Sequence, residues 1–374
     1  MVRWLAPAAA VAAVIGVITG VSVASRGPGE LATTTLPGAS SQAPEASGPV
    51  PDYYVTLDET DSVRGITNYA VVHKTSSGAV LARVTFPAQT VGGGVTAPNI
   101  TAADDDLTYV IGEFGGPGLG VTKFLLLKVA ADGRSAKLST LPLGLPASWQ
   151  VDAMAMSPDG KRLAIGAGSC RGADHCTETI HVVTLATGAT GNWAAPAHSV
   201  GFSLCCLSWV GNRHVLFDLQ GGTKAGYRLL SVAGKGGNLL AAPSMSVLPA
   251  QPRGYTPPVL LTPDGRAIIT SIVENVAGQD MPVAEIAELS ASTGKLIRVL
   301  RTMPASAVYD ASGAASLDGD CRVDSLGPAG FEALVECPGF GRLNGDGRFT
   351  PLAGVPDLQQ KTFSGPYIWG TGAW

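Results

Sequence analysis

Charge is scarce in this chain and gathers nowhere. Asp, Glu, Lys and Arg make up 14% of the 374 residues, the net charge is −4, and no basic block occurs. Nucleic-acid binding ordinarily uses a positive stripe that neutralises phosphates, so no nucleic-acid partner is expected. The charges stand in ones and twos, the pattern of solvated loop tips. Aromatic residues are few, 6%, and dispersed. No Cys-x-x-Cys pair occurs, although His175 adjoins Cys176; structural zinc sites usually show that spacing, and no metal is expected. The glycine-rich stretch 112–120 lacks the Lys-Ser/Thr of a phosphate-binding loop and reads as a connection between strands. Gly201-Phe202-Ser203-Leu204-Cys205 lacks the second glycine of a nucleophile elbow and reads as a buried strand. Asn344-Gly345-Asp346-Gly347 lacks the full ligand set of a calcium loop and reads as a hairpin turn. The sequence therefore nominates no catalytic residue, no metal ligand and no cofactor.

What is abundant points to a large β architecture. Hydrophobic residues make up 45%, enough to bury a sizeable core, while 48 Gly and 26 Pro imply many turns and speak against long helices. Residues 1–25 form a first segment. Its uncharged run from Leu5 to Ala24 is twenty residues, about 30 Å as a helix, which matches a bilayer's hydrocarbon core. One reading is a retained transmembrane helix. The other is a cleaved signal, since Ser22-Val23-Ala24 suits a small-residue cleavage site; the length of the run favours the anchor. Either exports the rest, so the expected location is the cell membrane, single-pass with the folded domain outside the cytoplasm, or secretion after cleavage. Residues 26–50, rich in Ser, Thr, Pro, Ala and Gly, form a linker with no apolar period. Residues 51–374 form the folded domain.

That domain stutters with a period near fifty residues. Two turns mark it best: Ser157-Pro158-Asp159-Gly160-Lys161-Arg162 and Thr262-Pro263-Asp264-Gly265-Arg266, each entered from an apolar strand and followed by another. Pro presets φ at the first corner, Asp bonds back to nearby amides, and Gly takes a positive φ. Degenerate copies surround Asp105 and Asn212, so the turn centres Asp105, Asp159, Asn212 and Asp264 lie 54, 53 and 52 residues apart. A weaker copy lies at Leu326-Gly327-Pro328-Ala329-Gly330. Each unit has a second half, a strand before a turn such as Ser77-Gly78, Asp132-Gly133, Thr187-Gly188 or Thr293-Gly294. About four short strands per unit predict an all-β propeller of six blades, with seven as the alternative and a two-sheet sandwich as the competing architecture. The tail Phe363 to Gly370 is a candidate for the strand that closes the ring.

The turn Ser157 to Ile165 and its partner at Leu261 resemble the repeats of TolB-type and WD-repeat-like bacterial propellers. The anchor, the linker and the opening Tyr53-Tyr54-Val55-Thr56-Leu57 are similar to exported actinobacterial proteins of that kind. The resemblance covers roughly residues 51–374. It lacks the Trp-Asp dipeptide and the Gly-His pair of eukaryotic WD repeats. It implies a fold and a habit of binding proteins or other ligands, without a particular partner.

Six cysteines in an exported chain favour disulfides. Cys170 and Cys176 flank a hairpin loop. Cys321 and Cys337 flank a strand, a turn and a strand, and a bridge closing that loop contributes roughly 3 kcal/mol in a chain-entropy model. Cys205 and Cys206 are adjacent, with side chains facing opposite ways in a regular strand; a strained vicinal bridge is possible, but buried thiols or a long-range link are preferred. Two functions remain. One is a monomeric, non-enzymatic binding or scaffold module for a protein or cell-envelope ligand. The other is a lactonase- or glycosidase-like propeller hydrolase, with acids such as Asp61, Asp104, Asp174, Asp318 and Asp320 gathered at the channel mouth.

Overall fold

The structure, a computed structural model, describes residues 50–374 except 63–64, 88–89, 92–93, 96–97, 114–122, 146–148, 171–175, 196–202, 221–225, 246–253, 263, 275–282, 305–307, 310–314, 317–321, 328–332, 338, 353–371 and 374. The anchor or signal segment and the linker thus lie outside the described residues. Among those described, no helix is long and apolar enough to cross a membrane.

The described domain is all-β apart from one turn of 3-10 helix, Leu239–Ala241, and it is a six-bladed propeller. From the axis outward, blade 2 is Pro98–Ala102, Thr108–Glu113, Lys123–Val129 and Ala136–Thr140. Blade 3 is Gln150–Met156, Arg162–Cys170, Cys176–Thr184 and Thr190–Ala194. Blade 4 is Ser203–Val210, His214–Gln220 and Gly226–Ser231. Blade 5 is Gly254–Leu261, Ala267–Glu274, Val283–Ser290 and Leu296–Pro304. Blade 6 is Arg322–Leu326, Ala333–Cys337, Gly339–Leu343 and Phe349–Pro351. Blade 1 joins the two ends of the domain: Gly372–Ala373 is innermost, followed by Tyr53–Ser62, Gly65–Lys74 and Val80–Pro87. The inner strands neighbour one another in that order and return to the first. Six blades replace both the seven-bladed and the sandwich alternatives. The tail does close the ring, but through Gly372–Ala373, with Ala373 opposite Val55; Phe363 to Gly370 lie outside the described residues.

Each blade buries its faces against its neighbours, which is why no strand set stands alone. Val55, Leu57, Ala70 and Val72 of blade 1 share a cluster with Tyr109, Ile111, Leu125 and Leu127 of blade 2. Ala155, Ile180 and Trp193 of blade 3 share one with Trp209, Val215 and Phe217 of blade 4. Fully burying such a side chain stabilises the fold by roughly 1.5–3 kcal/mol.

The repeat turns behave as their residues dictate. Asp159 Oδ1 accepts from Ser157 Oγ at 2.7 Å and from the Lys161 amide at 3.1 Å. Asp264 Oδ1 accepts from Thr262 Oγ1 at 2.7 Å and from the Arg266 amide at 3.0 Å. Gly160 and Gly265 take φ of 64° and 71°, the left-handed region that glycine enters freely. In the degenerate copy Asp105 does the work of Asp159, and Asp106 occupies the glycine position at φ 57°. Pro158 is half-buried, while the side chain of Pro263 lies outside the described residues. The Asn344-to-Gly347 segment is a hairpin turn, with the Gly347 amide donating to Asn344 O at 2.9 Å.

These turns share one end of the ring and clasp across blades. The Asp104 amide donates to Pro158 O at 2.9 Å, and the Asp159 amide to Asn212 Oδ1 at 3.1 Å. Arg162 also donates to Asn212 O. The opposite end carries the connections between blades and those between second and third strands. A clip adds to the seam between blades 3 and 4. Gly236–Asn238, after the last strand of blade 4, pairs parallel with Thr190–Ala194 as a fifth strand of blade 3.

Candidate functional site

The wall of the axis is made by the free edges of the inner strands. In four adjacent blades that wall is broken by a bulge two to four residues before the strand ends. In blade 3 the ladder skips Asp152, between Val151 and Ala153. In blade 4 it shifts between Cys205 and Ser208, in blade 5 between Thr256 and Leu260, and in blade 6 between Val323 and Ser325. Blade 5 has Pro257 and Pro258 in the skipped stretch, residues with no amide N–H to give a ladder and with φ fixed by the ring. Bulges re-aim side chains and are frequent beside active sites. Blade 2 has an unbroken register.

The chemistry nearest this wall is a carboxylate pair at the seam of blades 3 and 4. Glu178, in the third strand of blade 3, is 6% exposed. The Leu204 amide, on the inner strand of blade 4, donates to its carboxylate, while Oε2 is buried without a hydrogen-bond partner. Burial, and then the charge of Asp152, hold the Glu178 carboxyl up at about 7, so it carries a proton through much of the neutral range. Gly168, opposite Glu178 in the ladder, leaves the space the carboxylate uses: a Cβ there would stand 2.9 Å from Oε1. Three residues further along the same strand, His181 is also buried. Its Nδ1 is 2.7 Å from Asn192 Oδ1, its Nε2 has no partner, and the Trp149 ring lies 4.5 Å away. Burial lowers its pKa, against a smaller opposing effect of Asn192.

A second buried carboxylate sits at the end of the ring opposite the turns. Glu113, the last residue of its strand in blade 2, is fully buried with Lys123 Nζ 4.0 Å from Oε2. Burial raises its pKa and Lys123 opposes that. Lys123 also lines a recess of about 230 Å³ with Phe124, Leu141 and Leu143. This is the strand end from which the glycine-rich stretch departs; its residues beyond Glu113 lie outside the described ones.

The acids nominated from the sequence do not converge. Asp104 lies in the turn end and Asp61 near the opposite end of its strand, about 30 Å from Asp52 at 3.3 Å per residue. Asp174, Asp318 and Asp320 lie outside the described residues. Although Asp104 is exposed at the surface, partial burial and the charges of Asp106, Asp105 and Asp159 hold it up at about 6. Among the described residues, no group of three or more His, Cys, Asp or Glu is placed to hold a metal ion. The turn markers Asp159 and Asp264 are spent on their own turns, which hold their pKa below the usual carboxylate range despite some burial.

Cys170 and Cys176 are Cα partners across the hairpin of blade 3. Cys337 ends the second strand of blade 6, and Cys321 lies outside the described residues. The side chains of all four also lie outside them. Cys206 is half-buried and disulfide-bonded, so it is not the buried thiol that the sequence favoured. Sequence reasoning missed Asp152 and Glu178. Each is an ordinary acid in its strand, and the two face each other only through the register of blade 3 and the bulge at Asp152.

No protein-family model matches this chain, and no curated protein matches it in sequence. Among solved structures it is similar to TolB from Acinetobacter baumannii, with 13% identity and a TM-score of 0.46 over 87% of this chain and 67% of that one. It is similar to the β-propeller domain of the Trilobed protease from Pyrococcus furiosus, with 10% identity and a TM-score of 0.43 over 83% and 95% of the two chains. A 6-phosphogluconolactonase-like protein from Bacteroides uniformis shows 11% identity and a TM-score of 0.38 over 82% and 97%. Such likeness adds nothing to the architecture already read from the strands themselves.

Proposed function

We propose that the chain is a non-enzymatic binding or scaffold module of TolB-like type, working outside the cytoplasm. The segment Leu5 to Ala24 tethers it to the membrane, or directs its secretion if cleaved. Its partner is a protein or cell-envelope component, and it acts as a monomer. The observation that carries this reading is the run of bulges on four adjacent inner strands. Bulges on adjacent strands of a rigid ring re-aim side chains without needing a set of reactive groups, which is what recognition asks of a scaffold. Crosslinking the full-length chain at the membrane tests it. The expected result is recurrent capture of one partner, with no turnover of lactone or glycoside substrates.

One observation favours a second reading. A carboxyl held at about 7 beside another carboxylate is how a hydrolase keeps a general acid protonated. On that reading Glu178 is the acid and Asp152 its companion. Turnover that survives in the wild type and is lost in Glu178→Gln, with the fold intact, would replace the binding reading.

A further inference from the structure

We infer that Cys205 and Cys206 are bonded to each other, as a vicinal disulfide on the axial wall of blade 4, and that the other cysteines close as Cys170–Cys176 and Cys321–Cys337. The argument runs by register and by backbone. Cys206, the one cysteine whose side chain is described, is disulfide-bonded. Its partner is one of five. Cys170 and Cys176 stand opposite each other as the last pair of their ladder, the arrangement from which cross-strand bridges form. In blade 6 the last described pair is Arg322 with Glu336, and Cys321 and Cys337 are the residues adjoining that pair in the sequence. Each of those four has a partner at hand, which leaves Cys205 for Cys206.

The backbone removes the usual objection to bonding neighbours. Successive strand residues point to opposite faces, and their Cα atoms lie about 3.8 Å apart, closer than most disulfides span. Blade 4 is not a regular strand at this point. Cys205 stands opposite Asp218 and Ser208 opposite Leu216, so Cys206 and Leu207 together face the single residue Phe217. Cys206 takes φ 59°, one of only two non-glycine residues with positive φ among those described. A left-handed residue breaks the alternation, and L-residues other than glycine rarely adopt it. The other such residue, Asp106, sits in a tight turn, whereas Cys206 sits in the bulge of blade 4. Among the described residues, the bulges of blades 3, 5 and 6 use no left-handed non-glycine residue, and a bond from Cys206 to its neighbour accounts for the one in blade 4.

Making the bond takes one hydrogen from each thiol and joins the two sulfurs. The hydrogens and electrons pass to an external disulfide, a protein or small-molecule one, which leaves as two thiols. The bond joins the two residues that follow Leu204, whose amide holds Glu178, so it fixes the course of the wall beside the carboxylate pair.

Peptide mapping of the full-length chain, purified without reductant and alkylated, tests the pairing. Trypsin yields residues 163–171, 172–213, 302–322 and 323–342, each carrying cysteine. The expected links are 163–171 with 172–213, and 302–322 with 323–342. Further chymotryptic cleavage after Trp193 and Trp209 separates Cys176 from Cys205 and Cys206. The fragment holding that pair is expected unlinked, two hydrogens short of its reduced mass, alkylated at neither cysteine before reduction and at both after. In Cys205→Ser, Cys206 becomes alkylatable while the other two links persist. Alkylation of Cys205 or Cys206 in the wild type, a link from either to another peptide, or a Cys206 still blocked in Cys205→Ser overturns the inference.

Discussion

Gly188 and Gly236 both adopt positive φ, at 68° and 147°, but only one of them is crowded. A Cβ at Gly188 meets nothing within 4 Å, whereas one at Gly236 would stand 2.3 Å from the Asn192 carbonyl oxygen. Gly188→Ala is therefore expected to cost about 1 kcal/mol, the backbone term alone. Gly236→Ala is expected to cost more, because the clip must also move off blade 3; urea unfolding of the two variants checks the order. Glu178 gives a pH signature. Its folded-state pKa stands above the ordinary 4.5, so the native state holds a proton that the unfolded chain has lost. Its contribution to stability is complete below about pH 4.5 and is lost as pH rises toward 7, by about 3 kcal/mol at most. His73 and His181, both lowered chiefly by burial, act oppositely, costing stability as pH falls below about 6.5. The readout is accordingly the difference between wild type and Glu178→Gln: the gap in unfolding midpoint is expected to vary between pH 4.5 and 7 and to be flat above. At this scale the turn residues were legible, because Pro, Asp and Gly act on their own neighbours. Glu178 and Gly168 were not, because their partnership depends on a ladder register and a blade seam.

Among the elements, the two-residue strand Gly372–Ala373 carries weight beyond its length. It is the inner strand of blade 1, with Ala373 2% exposed in the cluster shared with blade 2. Removing residues 372–374 is expected to raise amide hydrogen exchange in Tyr53–Ser62 while leaving Val283–Ser290 protected. Equal protection in both strands would show that blade 1 does not depend on the closing strand. The outer strand of blade 5, Leu296–Pro304, exposes Leu296, Ile297 and Val299 along a free edge, the kind of edge that invites pairing with another chain. Ile297→Lys is expected to leave stability within about 0.5 kcal/mol and to reduce aggregation in light scattering. The alternation of strand and turn foretold most elements. It did not foretell the bulges, which keep ordinary residues and alter only register, nor the clip, whose glycines look like one more loop.

At the scale of the molecule, even spacing of the turn centres was enough to anticipate a ring, since each blade needs neighbours on both faces. What the ring does is not written in that spacing. The turn end clasps blade to blade through Asp104, Pro158, Asp159 and Asn212, and so spends its polar groups on the fold. The other end holds the blade connections and Lys123, and on the binding reading proposed above we take it as the end that meets the partner. Photoreactive residues placed singly at Lys123 and Pro142 on that end, and at Arg213 and Arg266 on the turn end, test this assignment in intact cells. The account predicts crosslinks to a common partner from Lys123 and Pro142 and none from Arg213 and Arg266. Capture confined to Arg213 and Arg266 would contradict it.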